Sequence, residues 1–438
     1  MNFKSKRMIF SLIKNKFAEQ GVFVKHSLIL FSGTILINFF NYIFHLVIGR
    51  MVDVEIYGEA ESLISLVAII SVFSATLTMI ATKYSAACKA ENDKEGSRQI
   101  RSYLNRKIFK YGLPIFASSI FLTSIVGNFL NIENNFALVL IWITMFLSFF
   151  SAVNSGTLSG WQKFRYISLN GILGAAIKLI SGIVLVKIGF ALNGIVGSFV
   201  LGSFVTYFAS VAVIRLVVLK KKNTDKIEDN KPASFDFGEI KKFILPVFVG
   251  NLAITLMCNM DMVLAKHNLD AIAAGQYGAL NVASKVIYFV TGIVASVLFS
   301  MSSESNHKGD SAKPLMKIGL ALVFFAGTFA TIIYFLYPEL ILSILYGNKY
   351  QGAAAYLGWF AIAVSLFSIV NLIFQYLLSI HKTKIAYFLI AIAAVFSGLI
   401  FLYGKSISAI INIVIIMQFV AILIGLFFVS RGKLNEKV

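Results

Sequence analysis

Charge is what this sequence has least of. Asp, Glu, Lys and Arg make up 13% of its 438 residues against 58% hydrophobic residues. A water-facing surface usually draws on about a quarter charged residues, so a soluble globular domain of this length is excluded. Cysteine is nearly absent too. Cys88 and Cys258 are the only two, too few for a disulfide framework or a cysteine metal cluster, and both read as packing residues. The five His form no metal-ligand spacing, and no Ser/His/Asp, Cys/His or paired-carboxylate set can be assembled outside the apolar runs, so no catalytic constellation is expected. Period-two alternation is missing as well, which excludes a membrane barrel and leaves helices as the way to satisfy backbone groups in lipid.

What is present is long apolar runs, with a mean hydropathy of +0.82. At roughly 20 residues per crossing, twelve spans emerge: 27–50, 63–82, 111–130, 137–159, 169–187, 192–214, 243–265, 276–301, 315–337, 353–379, 386–403 and 407–430. The first is too long for a cleaved leader and is read as a retained helix. Asn2 after Met1 and the closing Asn435-Glu436-Lys437-Val438 offer no lipidation signal.

Cationic residues test the count, because loops that stay on the cytoplasmic side keep Lys and Arg. All but seven of the 39 Lys and Arg fall on alternate loops and the two termini. Arg50, Lys187, Lys266, Lys349 and Lys405 lie on the other side, while Lys178 and Lys285 lie inside spans. The expectation is a multi-pass plasma (inner) membrane protein with both termini cytoplasmic. The high pI of about 9.7 therefore reflects juxtamembrane charge facing membrane lipids. Nucleic acid is not an expected partner, since Lys220-Lys221-Lys222 and the stretch from Arg98 to Lys110 adjoin helix ends.

The longest polar stretch divides the spans six and six. The expected organisation is a cytoplasmic segment 1–26, a first lobe 27–219, a flexible cytoplasmic linker 220–242, a second lobe 243–430 and a cytoplasmic tail 431–438. Glu55-Ile56-Tyr57-Gly58 opens the second span and Gly275-Gln276-Tyr277-Gly278 the eighth. An even number of spans per half makes this a parallel repeat, and such repeats suit alternating access.

Three stretches carry a family resemblance over nearly the whole chain. They are Glu55-Ile56-Tyr57-Gly58 with the helix ending Ala81-Thr82-Lys83-Tyr84-Ser85-Ala86, Asn259-Met260-Asp261 through Ala274-Gly275-Gln276-Tyr277-Gly278, and Tyr337-Pro338-Glu339 through Leu345-Tyr346-Gly347-Asn348-Lys349-Tyr350. The sequence resembles the polysaccharide-transport branch of the multidrug/oligosaccharidyl-lipid/polysaccharide (MOP) exporter superfamily. It departs from relatives at Leu298-Phe299-Ser300-Met301-Ser302, where a Pro before a Ser is common. The resemblance implies an all-α integral membrane protein of about twelve helices with a MATE-like fold. It also implies translocation of an undecaprenyl-diphosphate-linked oligosaccharide from the inner to the outer leaflet by alternating access. The implied partners are that lipid-linked oligosaccharide, membrane lipids and other polysaccharide assembly proteins.

Such a substrate needs cations and amides in a hydrated cavity, and intramembrane ionised groups are the natural candidates. Lys285, in a helix that lines the cavity of such relatives, is the first choice for the diphosphate, with neutralisation by Asp261 as the alternative. Lys178 is second, in a helix expected farther from the cavity. Asn38, Asn41, Asn251 and Asn259 are candidates for sugar hydroxyls, though plain interhelical hydrogen bonds would look the same, as they would for Asn371 and Gln375. Asp261, read as the only intramembrane carboxylate, is a gating or coupling candidate with Arg50 or His45 as its partner. No cofactor or metal is expected, with H+ or Na+ coupling left open. A cation-coupled multidrug antiporter is the alternative reading. A membrane polymerase or ligase comes third, because the longest outer loop, Pro338 to Gly352, carries no reactive set.

Overall fold

The computed structural model describes residues 28–218, 237–307 and 311–430. The expected segment 1–26, the tail 431–438 and the linker up to residue 236 lie outside the described residues. Among them every regular element is helical. The first half runs α1 (Leu28–Met51), α2 (Val54–Ala90), α3 (Lys94–Lys107), α4 (Leu113–Phe121), α5 (Thr123–Leu130), α6 (Asn135–Gly160), α7 (Phe164–Lys187) and α8 (Ala191–Val213). The second runs α9 (Phe237–Asn268), α10 (Ala271–His307), α11 (Lys313–Leu336), α12 (Pro338–Tyr346), α13 (Ala354–Ser379), α14 (Ile385–Tyr403) and α15 (Ile407–Ser430). Among the described residues eleven helices are long and apolar enough to cross a membrane, and a bent pair, taken as one span, brings the number to twelve.

The expected boundaries shift at three places, each for a local reason. Helix α2 starts at Val54, not at 63, with Glu55 in its first turn, where an acidic group favours the helix dipole. The third span is broken: Lys94–Phe121 meets Thr123–Leu130 at 55°. A π-helical turn, Ile108–Gly112, joins α3 to α4 just ahead of Pro114. Proline has no N–H to give the carbonyl four residues back, and a π turn absorbs that mismatch. The stretch from Pro338 to Gly352, expected as a loop, forms α12 and a 3₁₀ turn, Asn348–Ala353. Gly347 joins the two at φ +84°, a conformation that suits glycine.

Helix α13 is the most buried span, packed among α10, α11 and α15, while α2 packs on α6, α9 and α10 and so joins the two halves. At one end of the bundle that junction is tight. Gly58 and Gly275 bring the α2 and α10 backbones together. A methyl at Gly58 would strike the Gly275 amide, and one at Gly275 would strike the Val54 carbonyl. From Ala274 to Ser284 every α10 residue except Gln276 is buried, whereas Phe289, Val290, Ile293, Val297 and Met301 are exposed. On α1, Leu28, Phe31, Ile35, Leu36 and Phe39 are exposed and Phe44 and Ile48 buried. The bundle is thus sealed where α2 and α10 begin, while farther along α10 keeps one buried face, Thr291, Ala295, Leu298 and Ser302, and one exposed face.

The seal is chemical as well as steric. Arg50 donates to the carbonyls of Leu345 (3.0 Å) and Ile344, groups in the last turn of α12 that lack helical partners and carry its negative dipole end. Lys349 donates to the carbonyls of Arg50 (3.1 Å) and Val52, and the Tyr350 hydroxyl donates to Gly49 (3.1 Å). The rings of Tyr57, Tyr346 and Tyr350 lie 5.3–5.8 Å apart. Nearby, His267 is stacked between Phe129 (4.2 Å) and Phe401 (5.4 Å).

Candidate functional site: two polar centres in the bundle

Each half places a polar centre on its first two long helices, one or two turns inside the sealed end. In the first half, His45 on α1 meets Glu61 on α2, Nδ1 to Oε1 2.5 Å, with Glu61 only 4% exposed. Gly278 of α10 faces it; an added Cβ there would sit 3.2 Å from the Glu61 Cγ. A turn farther in, Lys178 on α7 donates to Asn41 Oδ1 (2.6 Å) and lies 4.6 Å from the ring centres of both Phe44 and Phe199. A desolvated cation over aromatic faces gains about 2 kcal/mol, so the rings hold this ammonium in place.

In the second half, Asp261 on α9 accepts from the Tyr277 hydroxyl (2.8 Å) and from Asn281 Nδ2 (3.1 Å), both on α10. Its Oδ1 has no partner among the described residues. Lys285, one turn beyond Asn281, donates to Asn259 Oδ1 (3.2 Å), and Asn259 Nδ2 donates to the Thr255 carbonyl (3.0 Å). Asp261, Asn281 and Lys285 border one cavity, with Tyr288, Phe367 and Gln418 on its other walls. Gln418 is fully buried with neither amide atom partnered among the described residues.

Several expectations need correction. Asp261 is paired with neither Arg50, which caps α12, nor His45, which holds Glu61. Its nearest donors are neutral because α10, not α1, packs against that face of α9. Lys285 makes no ion pair with Asp261; its ammonium rests on an amide oxygen. Asp261 is not the only intramembrane carboxylate, since the true start of α2 brings Glu61 into the membrane span. Lys178 finds its partner in Asn41 of α1. Asn38 and Asn251 are half-buried with no side-chain hydrogen bond among the described residues. Glu61, Asn281 and Gln418 were missed. A signal for the first two did exist, because Glu61 follows Tyr57-Gly58 at the same distance as Asn281 follows Tyr277-Gly278.

No group of three or more His, Cys, Asp or Glu among the described residues is placed to hold a metal ion. The two halves present cations, amides and buried carboxylates on helices that meet across the bundle, the arrangement of a membrane transporter. The model of the polysaccharide biosynthesis protein family matches residues 23–306. The chain belongs to that family, within the MOP superfamily. Its fold is MATE-like. It is similar to an inward-facing multidrug resistance MATE family transporter of the MOP superfamily (14% identity, 91% of this chain and 96% of that one, TM-score 0.74). It is also similar to the lipid II flippase MurJ in an inward closed conformation (16%, 91% and 87%, TM-score 0.66) and to an outward-facing MATE family transporter (16%, 93% and 94%, TM-score 0.60). No curated protein sequence matches it.

Proposed function

We propose that this protein is a flippase that carries an undecaprenyl-diphosphate-linked oligosaccharide from the inner to the outer leaflet of the plasma membrane by alternating access. The observation that carries the reading is Lys285. Its charge sits within a membrane helix, at the level where α10 begins to expose one face, and it donates to an amide oxygen in place of a carboxylate. An intramembrane cation is costly without a counter-charge, and a diphosphate entering from the end opposite the seal supplies one through a charge-assisted hydrogen bond. The free amides of Asn38 and Asn251 offer hydrogen bonds to sugar hydroxyls. In this reading the Lys/Arg partition puts the sealed end on the outer side. Transport then requires the Gly58–Gly275 crossing and the tyrosine cluster to part as the halves rock. His45–Glu61 and Asp261 are the places where H+ or Na+ coupling would act. Other polysaccharide assembly proteins are natural partners for handing on the product.

The test is translocation of a fluorescent polyprenyl-diphosphate oligosaccharide in vesicles containing the purified protein. Its failure in active, correctly oriented vesicles overturns the proposal. Reporters fused after Lys226 and Val438 should report cytoplasmic, and one after Gly347 external. A cation-coupled multidrug antiporter is the second reading, and Glu61 favours it by adding a second buried carboxylate with an ionisable partner. Organic-cation uptake driven by an ion gradient, with no movement of the polyprenyl lipid, would select it.

A further inference from the structure

A second polar cavity lies away from the centre of the bundle, in the first half, at the end opposite the seal. Its wall is one face of α3 continued through the π turn. Residues 98, 101, 102, 105, 106, 109 and 110 recur at helical spacing, while Ile100, Leu104 and Ile108 on the other face are buried against Ala81, Tyr84 and Val153. A second π turn, Ile214–Val218, ends α8 and brings Arg215 to the opposite wall. Five cations, Arg98, Arg101, Arg106, Lys110 and Arg215, therefore border one open cavity of about 770 Å³, and no carboxylate among the described residues lines it.

Arg98, Arg106, Lys110 and Arg215 stand exposed along this open groove, while Arg101 is half-buried and held in place from the bundle side. Arg101 Nε donates to Asn154 Oδ1 (2.8 Å), and Asn154, 1% exposed, donates to Ser210 Oγ (2.9 Å). That chain ties α3 to α6 and α8 and fixes the guanidinium with its two terminal nitrogens uncommitted among the described residues. Arg98 is offset by Glu95 (3.0 Å) and Arg106 leans on Ser102 (3.2 Å). Arg215 and Lys110 make no ion pair among the described residues. Like charges gathered around one space repel unless an anion joins them, and planar guanidinium groups suit the oxygens of phosphate. Phe109 and Phe150 complete the lining, adding an apolar wall beside the charges.

We propose that this cavity is a binding site for a phosphate group, formed where the cationic end of the bundle meets the membrane surface and separate from the central polar centres. It holds whether or not the central cavity moves a polyprenyl lipid. An anionic phospholipid headgroup and a free phosphate share the chemistry, and the test separates them. The full chain is titrated in detergent with phosphatidylglycerol, with phosphatidylcholine and with inorganic diphosphate, and binding is followed by native mass spectrometry and thermal shift. The triple variant Arg106→Gln/Lys110→Gln/Arg215→Gln leaves the Arg101–Asn154 scaffold intact. A matched variant, Lys313→Gln/Lys317→Gln/Lys384→Gln, removes equal charge elsewhere.

Wild type should prefer phosphatidylglycerol to phosphatidylcholine, and the triple variant should bind it at least about tenfold more weakly while the matched variant keeps its affinity. If the ligand is free phosphate, diphosphate alone shows that same variant dependence; if it is a headgroup, phosphatidylglycerol does. Either result upholds the site. Binding of neither probe to wild type, or binding equally affected by both variants, overturns it.

Discussion

The first two long helices of each half solve the same packing problem with different charges. In the register that matches Tyr57 with Tyr277, Glu61 falls opposite Asn281 and Asp261 opposite Asn41; His45 holds Glu61 in the first half, and Tyr277 and Asn281 hold Asp261 in the second. Both centres sit just inside the sealed end, yet the carboxylate has moved from the second helix of the pair to the first. In the first half it meets another ionisable group, and the two can balance one another within a low-dielectric interior. In the second it rests on a phenol and an amide, with one oxygen unmatched among the described residues. A repeat therefore preserves where helices touch more strictly than what they carry. The first centre is self-contained, and the second leaves one carboxylate oxygen facing a cavity of about 20 Å³, room for about one water.

The largest expected effect on translocation is at Lys285. Lys285→Ala should lower translocation by on the order of tenfold to a hundredfold at normal abundance, the worth of one charge-assisted hydrogen bond, whereas Lys285→Arg keeps a substantial part. Adding Asp261→Ala should give no rescue of abundance, because the ammonium lies on Asn259. Recovery in that double variant would restore the ion-pair reading and erase the difference between the halves.

Thermal unfolding in detergent tests the first half directly. Breaking the buried pair with Glu61→Ala should cost about 3–5 kcal/mol, and His45→Ala added to it should recover most of that loss. Asp261→Asn, which still accepts from Tyr277 and Asn281, should cost only about 1 kcal/mol. Equal losses at Glu61 and Asp261 would mean that the two centres do the same work.

Smaller effects sharpen the comparison at the seal. Gly275→Ala drives a methyl into the Val54 carbonyl, a backbone atom with no room to yield, and should cost about 2–3 kcal/mol; Gly278→Ala meets the Glu61 side chain at 3.2 Å and should cost about 1 kcal/mol. The smallest change is expected for Gln418→Leu. It removes an amide with no partner among the described residues and should leave stability within about 1 kcal/mol of wild type. A large loss there would reveal that the amide is held by a ligand or solvent the cavity admits.

Sequence alone determined that this is an all-helical membrane protein of about twelve spans. That information is local: each span is apolar over its own length, and each loop declares its side by its own cations. Lys285, Lys178 and Asp261 were legible for the same reason, as ionised residues inside apolar runs. Their partners were not. Only the tertiary structure decided that Lys178 meets Asn41 across 137 residues, that Arg50 caps α12 across nearly 300, and that Asp261 faces α10 and not α1. Hydropathy averages over a helix and carries no record of its rotation, so it cannot say which neighbour a side chain faces. The same averaging hid Glu61, whose single charge in the first turns of α2 moved the apparent start of the span past it, and it hid the basic cavity, whose walls come from three helices that meet only when the first half folds.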